Sequence, residues 1–160
     1  MDDIVRTYGY LCLGSRLKRI GERLQGDVVR LGDRLGVAVQ PGQFPLLAAL
    51  DRHGPMTIGE LVEAVGASQP GVTRNVARLV EAGWVRVERR HADQRRRTVS
   101  LTTAGAQGVA RARLEIWPLV EAAVAQVCGS LSGGLLEQLS GLEDALTARP
   151  MDVRALGGGT

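Results

Sequence analysis

Few side chains in this 160-residue sequence are equipped for bond-making chemistry. His53 and His91 stand alone, and so do Cys12 and Cys128, so neither the spacing of metal ligands nor a nucleophile–base pair is visible. No catalytic residue, metal site or cofactor is expected, and two unclustered cysteines suit a reducing compartment better than a disulfide scaffold. What the sequence concentrates is arginine. Residues 68–105 carry eight (Arg74, Arg78, Arg86, Arg89, Arg90, Arg95, Arg96 and Arg97) against Glu81, Glu88 and Asp93, so a chain of net charge +3 holds a +5 segment and a remainder at −2. A guanidinium bonds bidentately to phosphate or to a guanine edge, which makes nucleic acid the first partner to consider. The bland alternative is a solvated surface in a chain whose only lysine is Lys18. Aromatic residues make up 3% of the chain, too few for the stacking platforms of single-strand binders.

Leu13, Leu17, Ile20, Leu24, Val28, Leu31 and Leu35 recur at steps of three and four and predict one long helix closed by Gly36. Its interior glycines Gly14, Gly21, Gly26 and Gly32 each weaken it by about 1 kcal/mol, and its stripe of about six turns exceeds what one small core covers. A partner helix from a second copy is expected to hold it. A helix over about 42–53 ends at Gly54-Pro55, and Thr57 with Glu60 forms a capping box that opens a short helix through Val65. Gly66 closes that helix, and Ser68 caps the next, over about 69–82, which points Val72, Val76, Leu79 and Val80 one way and Gly71, Arg74, Asn75 and Arg78 the other. Alternation over 85–89 and 98–101, with a polar stretch between, predicts a hairpin with a basic tip. Two more helical stretches follow, over about 103–128 with a kink at Pro118 and over 131–148, and the tail beyond Pro150 has no packing pattern and is expected to be disordered.

Helices joined by a tight turn and followed at once by a basic hairpin make a winged helix-turn-helix, which sends its second helix into the major groove and its hairpin tip towards the minor groove. Gly71 would bring the helix surface close to base edges. Gln69 and Asn75 offer amide donor–acceptor pairs, and Arg74 and Arg78 offer guanidiniums. The fold class is mainly α with a small β-hairpin wing, and the domains read as 1–40 a dimerisation helix, 41–104 the winged helix, 105–149 further dimerisation helices and 150–160 the tail.

The stretches Gly83-Trp84-Val85, Asp93-Gln94-Arg95 and Leu101-Thr102-Thr103-Ala104-Gly105, with Asp93 eight residues before Leu101, resemble the wing signature of MarR-type transcriptional regulators. The run from Ser68 through Gln69, Pro70, Gly71, Thr73, Arg74 and Asn75 to Val80 is similar to that family's recognition helix, and the likeness spans roughly residues 10–148. The glycine-rich first helix and Pro45 depart from it. The resemblance implies a homodimer with helical dimerisation arms that binds a near-palindromic double-stranded operator, as a repressor or activator released by a ligand or an oxidant. It also implies that Asp93 orients the wing and Arg95 enters the minor groove, with Arg89, Arg90, Arg96 and Arg97 beside them. A local ion pair of Asp93 and Arg95 is the structural alternative.

Regulation is the least legible part. Cys12 has a placement similar to the peroxide-sensing cysteine of one branch of the family, but Val39-Gln40-Pro41-Gly42-Gln43-Phe44 lacks the tyrosine that this branch uses to hold the thiolate. Only Arg16, one turn on, shares its helical face. An inert cysteine and release by an unknown small-molecule effector is the preferred reading, with a redox sensor and a winged helix serving protein contacts alone as rivals. The acidic start MDDIVRTYGY is unlike a secretory leader, and no apolar run approaches the roughly 20 residues of a membrane span, so a cytoplasmic protein with no membrane partner is expected.

Overall fold

The computed structural model describes residues 1–36, 41–90 and 93–156, with the backbone alone at 41, 89, 90, 93–96 and 156. A four-residue helix, α1 (Ile4–Thr7), is capped by the Asp3 carboxylate, and a short 3-10 segment (Gly9–Cys12) leads into α2 (Leu13–Leu35). The long helix has the bounds its apolar spacing predicts, and Gly36 ends it with φ +67°, a left-handed conformation that glycine adopts without strain. Only Gly32 of α2 is buried, and Leu17, Ile20 and Leu24 are exposed in the single chain.

The core lies further on. A 3-10 turn (Pro41–Gln43) precedes α3 (Phe44–His53), whose Pro45 falls in the first turn, where its missing N–H has no intrahelical partner to lose. Leu46, Leu47 and Leu50 of α3 meet Leu61 of α4 (Ile58–Val65) and Val72, Val76 and Leu79 of α5 (Gln69–Glu81). The capping box of α4 is formed in both directions, Thr57 N–H donating to Glu60 Oε2 at 2.7 Å and Glu60 N–H to Thr57 Oγ1 at 3.2 Å. Gly66, at φ +61°, turns the chain from α4 into α5.

The wing is β2 (Val85–Arg90) against β3 (Asp93–Leu101), joined on the other edge of β3 by a two-residue strand, β1 (Met56–Thr57), in an antiparallel sheet of order β1-β3-β2. Val85 opposes Leu101, Val87 opposes Val99 and Arg89 opposes Arg97, after which the register shifts and Arg90 faces Asp93. The stretch before Thr98, expected to be turn-like, is therefore largely strand. Met56, Val85 and Val99 close the core from the sheet side, and Val109 closes it from α6 (Thr103–Glu115). Ile116, fully buried, separates α6 from α7 (Trp117–Cys128), so the expected single helix is broken two residues ahead of Pro118.

Two compact units divide at Pro118, the first being Met1–Pro118 and the second Leu119–Thr160. The second holds the remainder of α7, α8 (Leu135–Ala148) and α9 (Met151–Leu156), and no residue of α7 or α8 is buried in the single chain. Where the sequence predicts a disordered tail, residues 151–156 are helical. Arg154 supplies the reason, its guanidinium donating to the carbonyls of Arg149 at 2.7 Å and Ala145 at 2.6 Å, which ties α9 to the end of α8. The last four residues of that tail lie outside the described residues.

Candidate nucleic-acid interface

The hairpin is fastened to the helices by four residues of the motif seen in sequence. Gly83 takes φ +74° at the end of α5, and the Trp84 N–H donates to the Leu79 carbonyl at 2.9 Å. Thr102 then acts twice. Its hydroxyl donates to the Gly83 carbonyl at 2.6 Å, and as N-cap of α6 it accepts from the Gly105 N–H at 2.9 Å. A side chain on Gly105 would overlap the Trp84 carbonyl oxygen, and one on Gly108 would come within 2.5 Å of the indole. The spacing from Gly83-Trp84 to Thr102 and Gly105 is thus a packing requirement that fixes where the wing leaves the core. Asp51 of α3 pairs with Arg113, whose guanidinium also lies 5.7 Å from the Trp117 ring, bracing α6 from behind.

On α5 the buried residues recur at 72, 76 and 79, which leaves Gln69, Pro70, Thr73, Arg74, Ala77 and Arg78 exposed. A shallow open depression runs along Gln69, Pro70, Thr73, Arg74 and Ala77. Ser68 caps this helix, its Oγ accepting from the Gly71 N–H at 3.4 Å, and a Cβ on Gly71 would lie 3.1 Å from that oxygen. Gly71 therefore makes room for the cap, in addition to thinning the helix surface. Val80, expected with the core, is 42% exposed. Asn75, expected on the open face, is half-buried, with its amide against Gly42 in the turn before α3. The sequence held a signal for that placement, since Asn75 stands three residues after Val72 and four before Leu79, on the core side of the helix.

In the wing, Arg97 is exposed and Arg86 pairs with Glu88 at 2.8 Å. The backbones of Arg89, Arg90, Asp93, Arg95 and Arg96 lie in the distal halves of β2 and β3, while their side chains, and His91 altogether, lie outside the described residues. Arg74, Arg78 and Arg97 thus stand on open surface of one unit. Cys12 is a half-buried free thiol at the N-cap position of α2, far in sequence from these residues. Among the described residues no three His, Cys, Asp or Glu side chains are grouped to hold a metal ion, and no helix is long and apolar enough to cross a membrane.

Core, turn and sheet define a winged helix-turn-helix protein, mainly α with a small antiparallel wing. Residues 35–97 match the MarR family model, and the fold is similar to that of solved MarR-type proteins. A cysteine-to-serine mutant of MarR from Escherichia coli, crystallised with operator DNA, aligns with a TM-score of 0.69 at 20% identity over 91% of this chain and 99% of that one. A probable transcriptional regulator from Pseudomonas aeruginosa aligns at 0.59 and 26% identity over 84% and 96% of the two chains. BpsR of Bordetella bronchiseptica, described with regulation of its DNA binding by 6-hydroxynicotinic acid, aligns at 0.62 and 21% identity over 92% and 94%. No curated protein sequence matches the chain.

Proposed function

We propose that the protein is a transcriptional regulator that binds double-stranded DNA as a homodimer. In this reading α5 enters the major groove of each half of a near-palindromic operator and the wing lies along the adjacent minor groove. The observation that carries it is the composition of the open face of α5, where Gln69, Thr73, Arg74 and Arg78 stand together on a helix whose opposite face is anchored by Val72, Val76 and Leu79. Gln69 and Thr73, in the first turns of α5, read bases; Arg74 and Arg78 bond to guanine or phosphate. Ser68, Pro70 and Gly71 bring the helix N-terminus, the positive end of its dipole, towards the backbone of the duplex. Arg95 takes the minor groove and Asp93 orients it, with Arg89, Arg90, Arg96 and Arg97 on neighbouring phosphates. The exposed apolar residues Leu17 and Leu24 of α2, Leu119 and Val127 of α7, and Leu136 and Leu146 of α8 are the surfaces that a second copy covers. The relative crystallised with operator DNA supports binding of an operator, and the relative whose DNA binding is regulated by 6-hydroxynicotinic acid supports control by a small-molecule ligand; in this reading the ligand releases the regulator, which acts as a repressor.

Selection from a random duplex pool tests the whole reading. A near-palindromic consensus is expected, with affinity that falls steeply with salt. Arg95→Ala should weaken binding to that consensus while leaving the thermal transition in place, because a hairpin tip adds little to the core. Recovery of no consensus and no salt-dependent binding would leave a winged helix serving protein contacts. For release, Cys12→Ser should respond to organic hydroperoxide as the wild type does. Dissociation of the wild type alone would make Cys12 the sensor.

A further inference from the structure

A second concentration of arginine lies away from α5 and the wing. Arg6 of α1 and Arg16, Arg19 and Arg23 of α2 line one cleft with Asp3 and Ile20, enclosing about 310 Å³. Arg16, Arg19 and Arg23 follow at steps of three and four, so they form one row along the helix, its ends about 10 Å apart along the axis. Among the described residues Asp3 is the only acid that lines the cleft. One of its oxygens accepts from Arg19 Nη1 at 3.0 Å and the other lies 3.6 Å from Arg6 Nε. A single carboxylate facing four guanidiniums leaves a local charge of +3, and among the described residues Arg16 and Arg23 have no hydrogen-bond or ion-pair partner. Such crowding of like charge is unfavourable unless something offsets it, and the packing of the fold does not require it, because none of the four arginines is buried.

We propose that this cleft is a binding site for a compact anion carrying two or more negative charges, a polycarboxylate or a polyphosphate. The chain's own Asp3 already shows how a carboxylate sits there, and by pairing with Arg19 it fixes one wall in advance. Arg16 and Arg23 supply bidentate donors at either end of the row, and half-exposed Ile20 gives the floor an apolar centre that competes poorly for water. At about 30 Å³ per water in the liquid, the cleft takes about ten non-hydrogen atoms, the scale of a small metabolite. The site shares no donor with the proposed DNA contacts, since its guanidiniums belong to α1 and α2 and none to α5 or the wing.

The test is calorimetric titration of the full chain without DNA, with citrate and with pyrophosphate at fixed ionic strength, and with acetate as the monovalent control. Saturable binding of either polyanion, with none of acetate, is expected; citrate alone assigns a carboxylate ligand and pyrophosphate alone a phosphate one. The double variant Arg16→Gln, Arg23→Gln should bind about tenfold more weakly or worse, with an unchanged thermal transition in the absence of anion. Arg16→Gln alone, with a smaller loss, serves should the double variant misfold. Absence of saturable binding, or equal binding by the variants, overturns the proposal. So does a variant that changes only the sedimenting mass, which would assign the cleft to a contact between copies, or only operator affinity, which would assign it to DNA phosphate.

Discussion

At the scale of single residues, the open face of α5 depends on which side chains the core has already claimed. Arg74 is exposed and Asn75, its neighbour, is half-buried beside Gly42, so two polar residues that look alike as base readers in sequence are separated by about 100° of helix. Arg74→Ala is expected to cost about 1–3 kcal/mol of operator binding and to relax preference at one base position, whereas Asn75→Ala should leave the preferred sequence unchanged. A selection experiment on each variant checks both, and a shifted consensus for the Asn75 variant would return it to the groove. Asp3 makes a different residue-level prediction. The hydrogen bond from Arg19 holds its carboxyl below the ordinary 3.8, with burial opposing and the Arg6 N–H assisting. A folded-state value below the unfolded one means that the contact stabilises the amino-terminal turn above about pH 4 and is lost as the pH falls through the folded value. Titration of the Asp3 carboxyl by NMR should give a midpoint under that of an unstructured aspartate, and Arg19→Gln should move it up.

At the scale of elements, what was legible in sequence was whatever local chemistry dictates. The ends of α2 follow from apolar spacing and Gly36, the start of α4 from the Thr57–Glu60 box, and the α4–α5 turn from Gly66 and Ser68, since each needs only neighbours within a turn or two. What was not legible depends on distant partners. The strand Met56–Thr57 is two residues long and exists only because Val99 and Thr98 lie opposite, and helical residues 151–156 are held by Arg154 reaching back to Ala145. The break at Ile116 places that side chain in the core, which no periodicity within 103–128 announces. The open face of α5 was legible apart from Asn75 and Val80, the two positions at the border between core and surface. Glycines show the same division between local and distant causes. Gly14 has nothing within 4 Å of where a side chain would begin, while Gly105 faces the Trp84 carbonyl. Gly14→Ala is therefore expected to stabilise α2 by up to about 1 kcal/mol. Gly105→Ala should destabilise the winged helix by about 3 kcal/mol or more through overpacking against fixed backbone. Thermal or urea unfolding of the two variants decides, and a neutral Gly105→Ala would mean that the wing is not fastened as described.

At the scale of the whole molecule, the decisive quantity is apolar surface. No residue of α1, α7 or α8 is buried in the single chain, and α2 buries only Gly32, although Leu17, Leu24, Leu119, Val127, Leu136 and Leu146 all lie in these helices. Burying such side chains is worth about 1.5–3 kcal/mol each when complete, and although several are already half covered, the part still in water is comparable to the margin of about 5–15 kcal/mol by which a small domain is stable. In the proposed homodimer a second copy would cover them, and would also set a distance between two α5 helices. Leu17→Glu with Leu24→Glu should therefore lower the sedimenting mass from dimer to monomer, and with it the affinity for the full operator, while a single half-site is still bound weakly. The spacing of the two readers gives the sharper test. A rigid dimer reads half-sites on the same side of the duplex, which requires their centres to stand close to a whole number of turns apart, about 10.5 base pairs each. Inserting five base pairs between the half-sites rotates one of them by about half a turn, and inserting ten restores the phase. Binding should collapse with the first insertion, and should remain weak with the second if the arms fix the separation as well as the phase. Equal affinity for all three duplexes would mean that each protomer binds alone, and the dimer would then have no part in recognising the operator.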